Sequence, residues 1–275
     1  MPVARVPHQA EGPDRAAEFR DLFGLRIDNL TMEQTVQRCL AATDSGELLE
    51  IGVVNAAKIV KMQQDATLRE AVAGCGVIVA DGQSVVWASR LLRAPLTERV
   101  AGIDLFQRLL AEAEKRGLPV YFLGARPEVL AEMTRRLRVD LPGLKIAGGR
   151  HGYFGDDEAP GIADEIAESG AKLLFLGMTS PKKETFVATY GQRTGASVVH
   201  GVGGSFDVLA GVVRRAPRTW QRLGLEWLYR AAQEPRRLGG RYLTTNVAFL
   251  TIVARERLAW AAKAVPARPG REAER

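Results

Sequence analysis

The stretch CGVIVADGQSVVWASRLL, residues 75–92, sets the architecture of the chain. A short apolar run rich in β-branched residues closes on Asp81-Gly82, and an amphipathic segment follows at once. Continuous apolar runs of this length suit strands buried on both faces, which belong to parallel sheets covered by helices. The same unit recurs on either side of it. LEIGVVN (49–55), PVYFLG (119–124), LKIAGG (144–149), KLLFLG (172–177) and SVVHGV (197–202) are further strand candidates. Between them lie helical stretches at 56–73, 103–117 and 127–139. The expected fold is therefore α/β, a parallel sheet with helices on both faces.

The alternation stops near Gly211. Residues 22–211 are expected to form the α/β body, and 212–265 a basic helical appendage. Residues 1–21 and 266–275 are expected to be flexible tails. The N-terminal stretch lacks the apolar core of a signal peptide. The run VAFLTIVA (247–254) is far short of the roughly 20 residues that a membrane span needs. Cys39 and Cys75 lie in apolar stretches without CxxC spacing, as reduced core thiols do in a cytosolic protein, and no zinc site is expected.

The net charge of +6 is unevenly placed. Residues 212–275 hold 14 Lys and Arg against 5 Asp and Glu, whereas the rest of the chain holds 24 against 27. A basic segment on a slightly acidic body suits an anionic partner: a phosphorylated ligand, a membrane surface or nucleic acid. Within the segment, GLEWLYRAAQEPRR (224–237) mixes large apolar groups with arginine. On a helix, Leu225, Leu228 and Ala232 form a packing stripe, and Glu226 can pair with Arg230. Pro235 should end that helix and release Arg236 and Arg237. Its aromatics fall at helical spacing among leucines, which favours packing over base stacking, so no nucleic-acid partner is expected.

In open parallel sheets, ligands bind beyond the carboxyl ends of the strands. Those ends carry Asn55, Asp81-Gly82, Gly124-Ala125-Arg126, Thr179-Ser180-Pro181-Lys182-Lys183-Glu184 and Gly203-Gly204-Ser205-Phe206-Asp207. Asp81 follows a strand directly and suits a general base, or equally an N-cap of the next helix. Gly201-Val202-Gly203-Gly204 resembles a phosphate-cradling turn but is not GxGxxG and lies late in the chain. No P-loop and no HExxH occur, and no metal is expected, so a diphosphate would have to be met by Arg, Lys and backbone amides.

Taken in order, GVVNAAKIV, VADGQSVVWASR, ERVAGIDLF, GYF, SPKKE, GVGGSFDVLAGVVRRAP and LGLEWLYRAAQEPRR resemble the WecG/TagA/CpsF glycosyltransferases, glycosyltransferase family 26, over residues 24–243. The resemblance implies a Rossmann-like domain and an inverting, metal-independent enzyme without a cofactor. Such an enzyme moves a sugar, commonly N-acetylmannosamine or its uronic acid, from a UDP-sugar donor to a polyprenyl-diphosphate-linked acceptor sugar. The products are teichoic-acid linkage units, enterobacterial common antigen, capsule or exopolysaccharide. The resemblance also implies a cytoplasmic protein held peripherally on an anionic membrane surface, and it permits a homo-oligomer.

By that resemblance Asp81 is the catalytic base, Asn55 lines the sugar pocket and Arg99 meets the diphosphate or the sugar. Gly203, Gly204 and Asp207 hold the nucleotide, Lys182 and Lys183 contact substrate, and Arg230 and Arg237 reach back over the pocket as a lid. Two departures stand out: Val53 replaces a common Thr, and Lys183 a common Gln. Lys183 would suit a donor bearing a carboxylate. Removing residues 212–275 is expected to leave a folded but nearly inactive body. The competing reading is a nucleotide-cofactor-dependent oxidoreductase on a similar sheet.

Overall fold

A computed structural model describes residues 19–233 and 235–263. The chain begins there with an antiparallel hairpin, β1 (Phe19–Leu22) and β2 (Leu25–Asp28). Phe23 and Gly24 join the strands with φ of 58° and 73°, the pair of positive values that a type I′ turn requires. The proposed tail boundary at residue 21 thus falls inside an ordered hairpin. Asp28 ties it to the sheet by accepting from Ile78 N at 2.7 Å.

The body then alternates. After α1 (Met32–Ser45) come β3 (Leu49–Val54), α2 (Ala56–Met62), α3 (Ala66–Ala73), β4 (Val77–Ala80) and α4 (Gln83–Leu91). There follow α5 (Gly102–Arg116), β5 (Val120–Gly124), α6 (Pro127–Asp140), β6 (Ile146–Arg150) and α7 (Ala159–Glu168). The body ends with β7 (Leu173–Gly177), α8 (Lys182–Tyr190), β8 (Val198–Gly201) and α9 (Ser205–Leu209). The helical stretch 56–73 is two helices, because Asp65 accepts from Leu68 N and caps a new one.

β3 to β8 form one parallel sheet in the order β4-β3-β8-β7-β5-β6. The two-residue period of each strand divides its side chains between two cores. Val77, Val79, Ile51, Val198, Phe175 and Phe122 face α1, α5 and α6. Ile78, Ala80 and Val54 face α2, α3 and α4, while Leu174, Leu176 and Tyr121 face α7 and α8. The α/β sheet covered on both faces is as the sequence implies.

Beyond α9 the chain is helical: α10 (Arg218–Arg222), α11 (Glu226–Gln233) and α12 (Pro235–Lys263). Pro235 does separate two helices, but it opens α12 instead of freeing the chain. The expected stripe of Leu225, Leu228 and Ala232 does not pack inward, for Leu228 is 40% exposed and Ala232 is exposed. The anchor lies farther on. Phe249 and Val253 of α12 are each 4% exposed and join the core formed by Phe23, Ile59, Met62 and Val85. The Phe249 and Phe23 rings lie 5.5 Å apart. Appendage and body therefore share a hydrophobic core.

Candidate active site

Asp81 stands where β4 ends. Its backbone amide still bonds to Val54 O of β3 at 2.9 Å, so the sheet fixes the residue while the side chain projects past the edge. The N-cap reading fails for its own helix, since α4 is capped at Gly82 without a side-chain bond. Asp81 instead takes an amide of a different helix: its Oδ1 accepts from Gly102 N, at the start of α5, at 2.9 Å. The first amides of a helix have no internal partner, and the dipole of α5 favours a carboxylate there. The loop is held for this purpose, with Val100 N bonded to Ala80 O at 2.9 Å.

Asn55 completes the seat. Its Oδ1 caps α2 through Lys58 N at 3.0 Å, which leaves Nδ2 directed at Asp81 Oδ2, 3.3 Å away. Gly82 must be small beside it, for a Cβ there would lie 3.1 Å from Asn55 Cβ. Asp81, Asn55 and Gly102 thus converge from β4, β3 and α5. The carboxylate is partly exposed and accepts two hydrogen bonds, an arrangement suited to a base that takes a proton from a bound hydroxyl.

Arg99 lies on the same side, but it is not free for a ligand. Arg99 Nη1 meets Glu226 of α11 at 2.7 Å, and Nη2 is 4.0 Å from Asp104. Arg215 repeats the pattern, forked on Asp104 through both terminal nitrogens and 3.3 Å from Glu226 through Nε. Two guanidinium groups face two carboxylates, so the quartet is balanced in charge. It fastens α11 to the start of α5, one turn from the residue that binds Asp81. The sequence suggests a Glu226–Arg230 pair, which involves a side chain outside the described residues; among the described residues the carboxylate crosses to Arg99 and Arg215. The turn at Gly224 sits against α4, where a Cβ would come within 2.7 Å of Gln83 Cβ.

The lysines of the SPKKE stretch also have partners within the protein. Lys182 Nζ donates to the carbonyls of Gly152 and Phe154, at 3.1 and 2.7 Å, and lies over the Phe154 ring. It thereby holds the loop that presents Tyr153. Lys183 is 9% exposed, and its ammonium contacts Ser180 Oγ and Glu184 Oε1, each at 2.5 Å. Burial and the neighbouring Lys58 push the Lys183 amine down to about 8, against the pull of Glu184. Burial alone would raise the Glu184 carboxyl, yet Lys58 and Lys183 prevail and hold it at about 2. Lys58 Nζ lies 3.3 Å from Glu184, and Lys61 Nζ donates to Ser180 O at 3.0 Å, so α2 grips the first turn of α8 and the loop before it through two lysines. A role for Lys183 with a donor carboxylate would require its ammonium to leave Glu184.

Gly203 and Gly204 form the turn between β8 and α9, with Gly203 at φ 52° and open space where its Cβ would be. Asp207 lies in the first turn of α9, and its carbonyl accepts from Val212 N and Val213 N. The side chains of Arg230 and Arg237 lie outside the described residues. Among the described residues no group of three or more His, Cys, Asp or Glu could hold a metal ion, and no helix is long and apolar enough to cross a membrane.

The sequence reading singled out Asp81 and Asn55, whose side chains the structure brings together, but not their neighbours Gly102, Asp104, Arg215, Lys58 and His200. Gly102 is identifiable only once α5 is seen to start there, and the Arg99–Glu226, Arg215–Asp104 and Lys58–Glu184 pairs join residues more than 100 positions apart. A family model described as "Glycosyl transferase WecG/TagA/CpsF family" matches residues 20–263.

Proposed function

The chain belongs to the WecG/TagA/CpsF glycosyltransferase family, whose members act in cell-surface polysaccharide synthesis with nucleotide-sugar donors and lipid-linked acceptors, and from that premise we propose an inverting, metal-independent transfer from a UDP-sugar to a polyprenyl-diphosphate-linked sugar, with Asp81 as the base. The observation that carries this reading is the seating of the Asp81 carboxylate at the sheet edge by Gly102 N and the Asn55 amide. Asp81 takes the proton of the acceptor hydroxyl as that oxygen attacks the anomeric carbon. The bond from that carbon to the diphosphate breaks on the opposite face, and UDP departs with the electron pair. The anomeric configuration inverts.

In this reading Asn55 orients the donor sugar next to Asp81. The Gly203-Gly204 turn and Asp207 hold the nucleotide, at the end of the strand beside β3. Lys182 and Lys183 support the site by fixing Gly152, Phe154 and Ser180 in the loops that follow β6 and β7. The roles of Arg230 and Arg237 at the diphosphate rest on the family resemblance. The finer donor identity, N-acetylmannosamine, its uronic acid or a related hexose, is settled by a panel of UDP-sugars against a polyprenyl-diphosphate-GlcNAc analogue in the presence of EDTA. Transfer from a UDP-N-acetylmannosamine-type donor is expected, and absence of transfer from every UDP-sugar would contradict the proposal. Running the panel with Lys183→Gln tests the carboxylate preference, which an unchanged donor ranking refutes.

A diphosphate near Arg99 must compete with Glu226 for the same guanidinium. Glu226→Gln removes a carboxylate facing the incoming anion. UDP binding is then expected to tighten about two- to fivefold, the worth of ~0.5–1 kcal/mol for a partly exposed charge contact. Calorimetric titration with UDP measures this, and an unchanged affinity would show that the diphosphate does not approach Arg99.

The lipid acceptor places the enzyme at a membrane, and the apolar residues left outside support peripheral contact there. Val247, Leu250 and Leu258 follow one outer stripe of α12, with Arg255 exposed on that helix. Trp87 and Leu91 are exposed on α4, whose C-terminal end carries Arg90 and Arg93. Apolar groups interleaved with arginine suit an anionic bilayer surface.

A further inference from the structure

His200 lies in the middle of the sheet, on β8, and is fully buried at 0% exposure. The residues before it, Val198 and Val199, are apolar and buried, and another valine would suit the position by volume and by strand preference. A histidine there must satisfy two ring nitrogens away from water. Nε2 lies 3.0 Å from Gly102 O, whereas Nδ1 has no partner. A carbonyl can only accept, so Nε2 carries the hydrogen and Nδ1 is a bare, buried acceptor, which is destabilising. Burial depresses the ring to about 4, with Lys58 and Lys183 adding to the effect and Gly102 and Asp81 opposing it, so the imidazole is neutral at ordinary pH.

What the ring gains for that cost is a single directed bond, and its target is the residue that binds Asp81. Gly102 donates its N–H to Asp81 Oδ1 at 2.9 Å and receives the His200 N–H on its carbonyl. The fit around it is close: a Cβ on Gly102 would touch Val53 at 3.6 Å and His200 Cε1 at 3.8 Å. We infer that His200 is a positioning residue for Asp81, pinning the first residue of α5 from beneath so that its amide holds the carboxylate in line with the acceptor. The inference rests on the reading of Asp81 as the acceptor base.

The test compares His200→Phe, His200→Gln and Asp81→Asn in the transfer assay, with UDP affinity and thermal unfolding measured on each. Phenylalanine fills the space without an N–H; glutamine keeps a terminal amide that can reach Gly102 O. In His200→Phe kcat is expected to fall about tenfold or more, the scale of a small misplacement of a reacting group. KM for the donor and the UDP Kd are expected to stay within about twofold, since the lost contact is not one to the substrate. His200→Gln should recover most of the loss.

Unchanged kcat in folded His200→Phe overturns the inference, as does equal impairment of the Phe and Gln variants. If His200→Phe does not accumulate as folded protein, His200→Val makes the same comparison. Full turnover in Asp81→Asn would defeat the catalytic reading and this inference with it. A dead Asp81→Asn beside a fully active His200→Phe defeats the inference alone.

Discussion

Phe249→Ala is expected to destabilise the whole protein by about 3–5 kcal/mol, as truncation of a buried phenylalanine does. Phe249 belongs to α12, near the end of the chain, yet it is 4% exposed and packs against Phe23 of the first hairpin. Deleting its ring leaves a void in the core that also holds Ile59, Met62 and Val85, residues of α2 and α4. Leu250→Ala, next along α12, is the control. That side chain is 65% exposed, so its loss should cost within about 0.5 kcal/mol. Chemical denaturation of the two variants checks the contrast. Equal, small effects would mean that α12 is an appended element with no share in the core.

The same packing revises the expectation for removing residues 212–275. Truncation would strip Phe249 and Val253 from a core shared with the hairpin, so it cannot be read simply as removal of a lid. Point changes at the Arg99–Glu226–Arg215–Asp104 quartet probe the link between appendage and site with the core intact.

Much of the body was legible because its strands are apolar runs buried on two faces, and the six candidates in the sequence are the six strands of the sheet. Asp81 and Asn55 were legible for a related reason: in such a sheet the residue that follows a strand emerges at the ligand-binding edge. The hairpin at 19–28 was not. Its strands are four residues each and carry Arg20, Asp21 and Arg26. Its turn places Phe23, in place of the usual Asn or Asp, at positive φ. Packing against a core that includes distant Phe249 accounts for a buried aromatic in that position.

Partners of charged groups were also hidden. Lys182, Lys183 and Arg99 are expected to contact ligand on the family resemblance. Each is engaged by groups set by the fold: two loop carbonyls, Glu184 with Ser180, and Glu226. His200 gave no signal because a lone histidine in an apolar strand resembles any core residue until α5 is seen above it.

The second large effect concerns Asp81. Asparagine keeps the shape and an oxygen for Gly102 N, so the seat at the start of α5 survives. Its amide cannot take a proton from the acceptor, and it turns a donor towards Asn55 Nδ2, whose own oxygen is committed to Lys58 N. Stability is expected to change by less than about 1 kcal/mol, the loss of one long hydrogen bond. Chemistry is expected to suffer far more, by about 10²- to 10⁴-fold in kcat, the usual worth of a positioned general base.

The most direct measurement is therefore turnover of Asp81→Asn with a UDP-sugar and a lipid-diphosphate acceptor, alongside UDP titration and thermal unfolding of the same preparation. The account predicts folded protein that binds UDP as the wild type does and transfers almost no sugar. Turnover within a few-fold of wild type would contradict it, and the base would have to be sought elsewhere along the sheet edge.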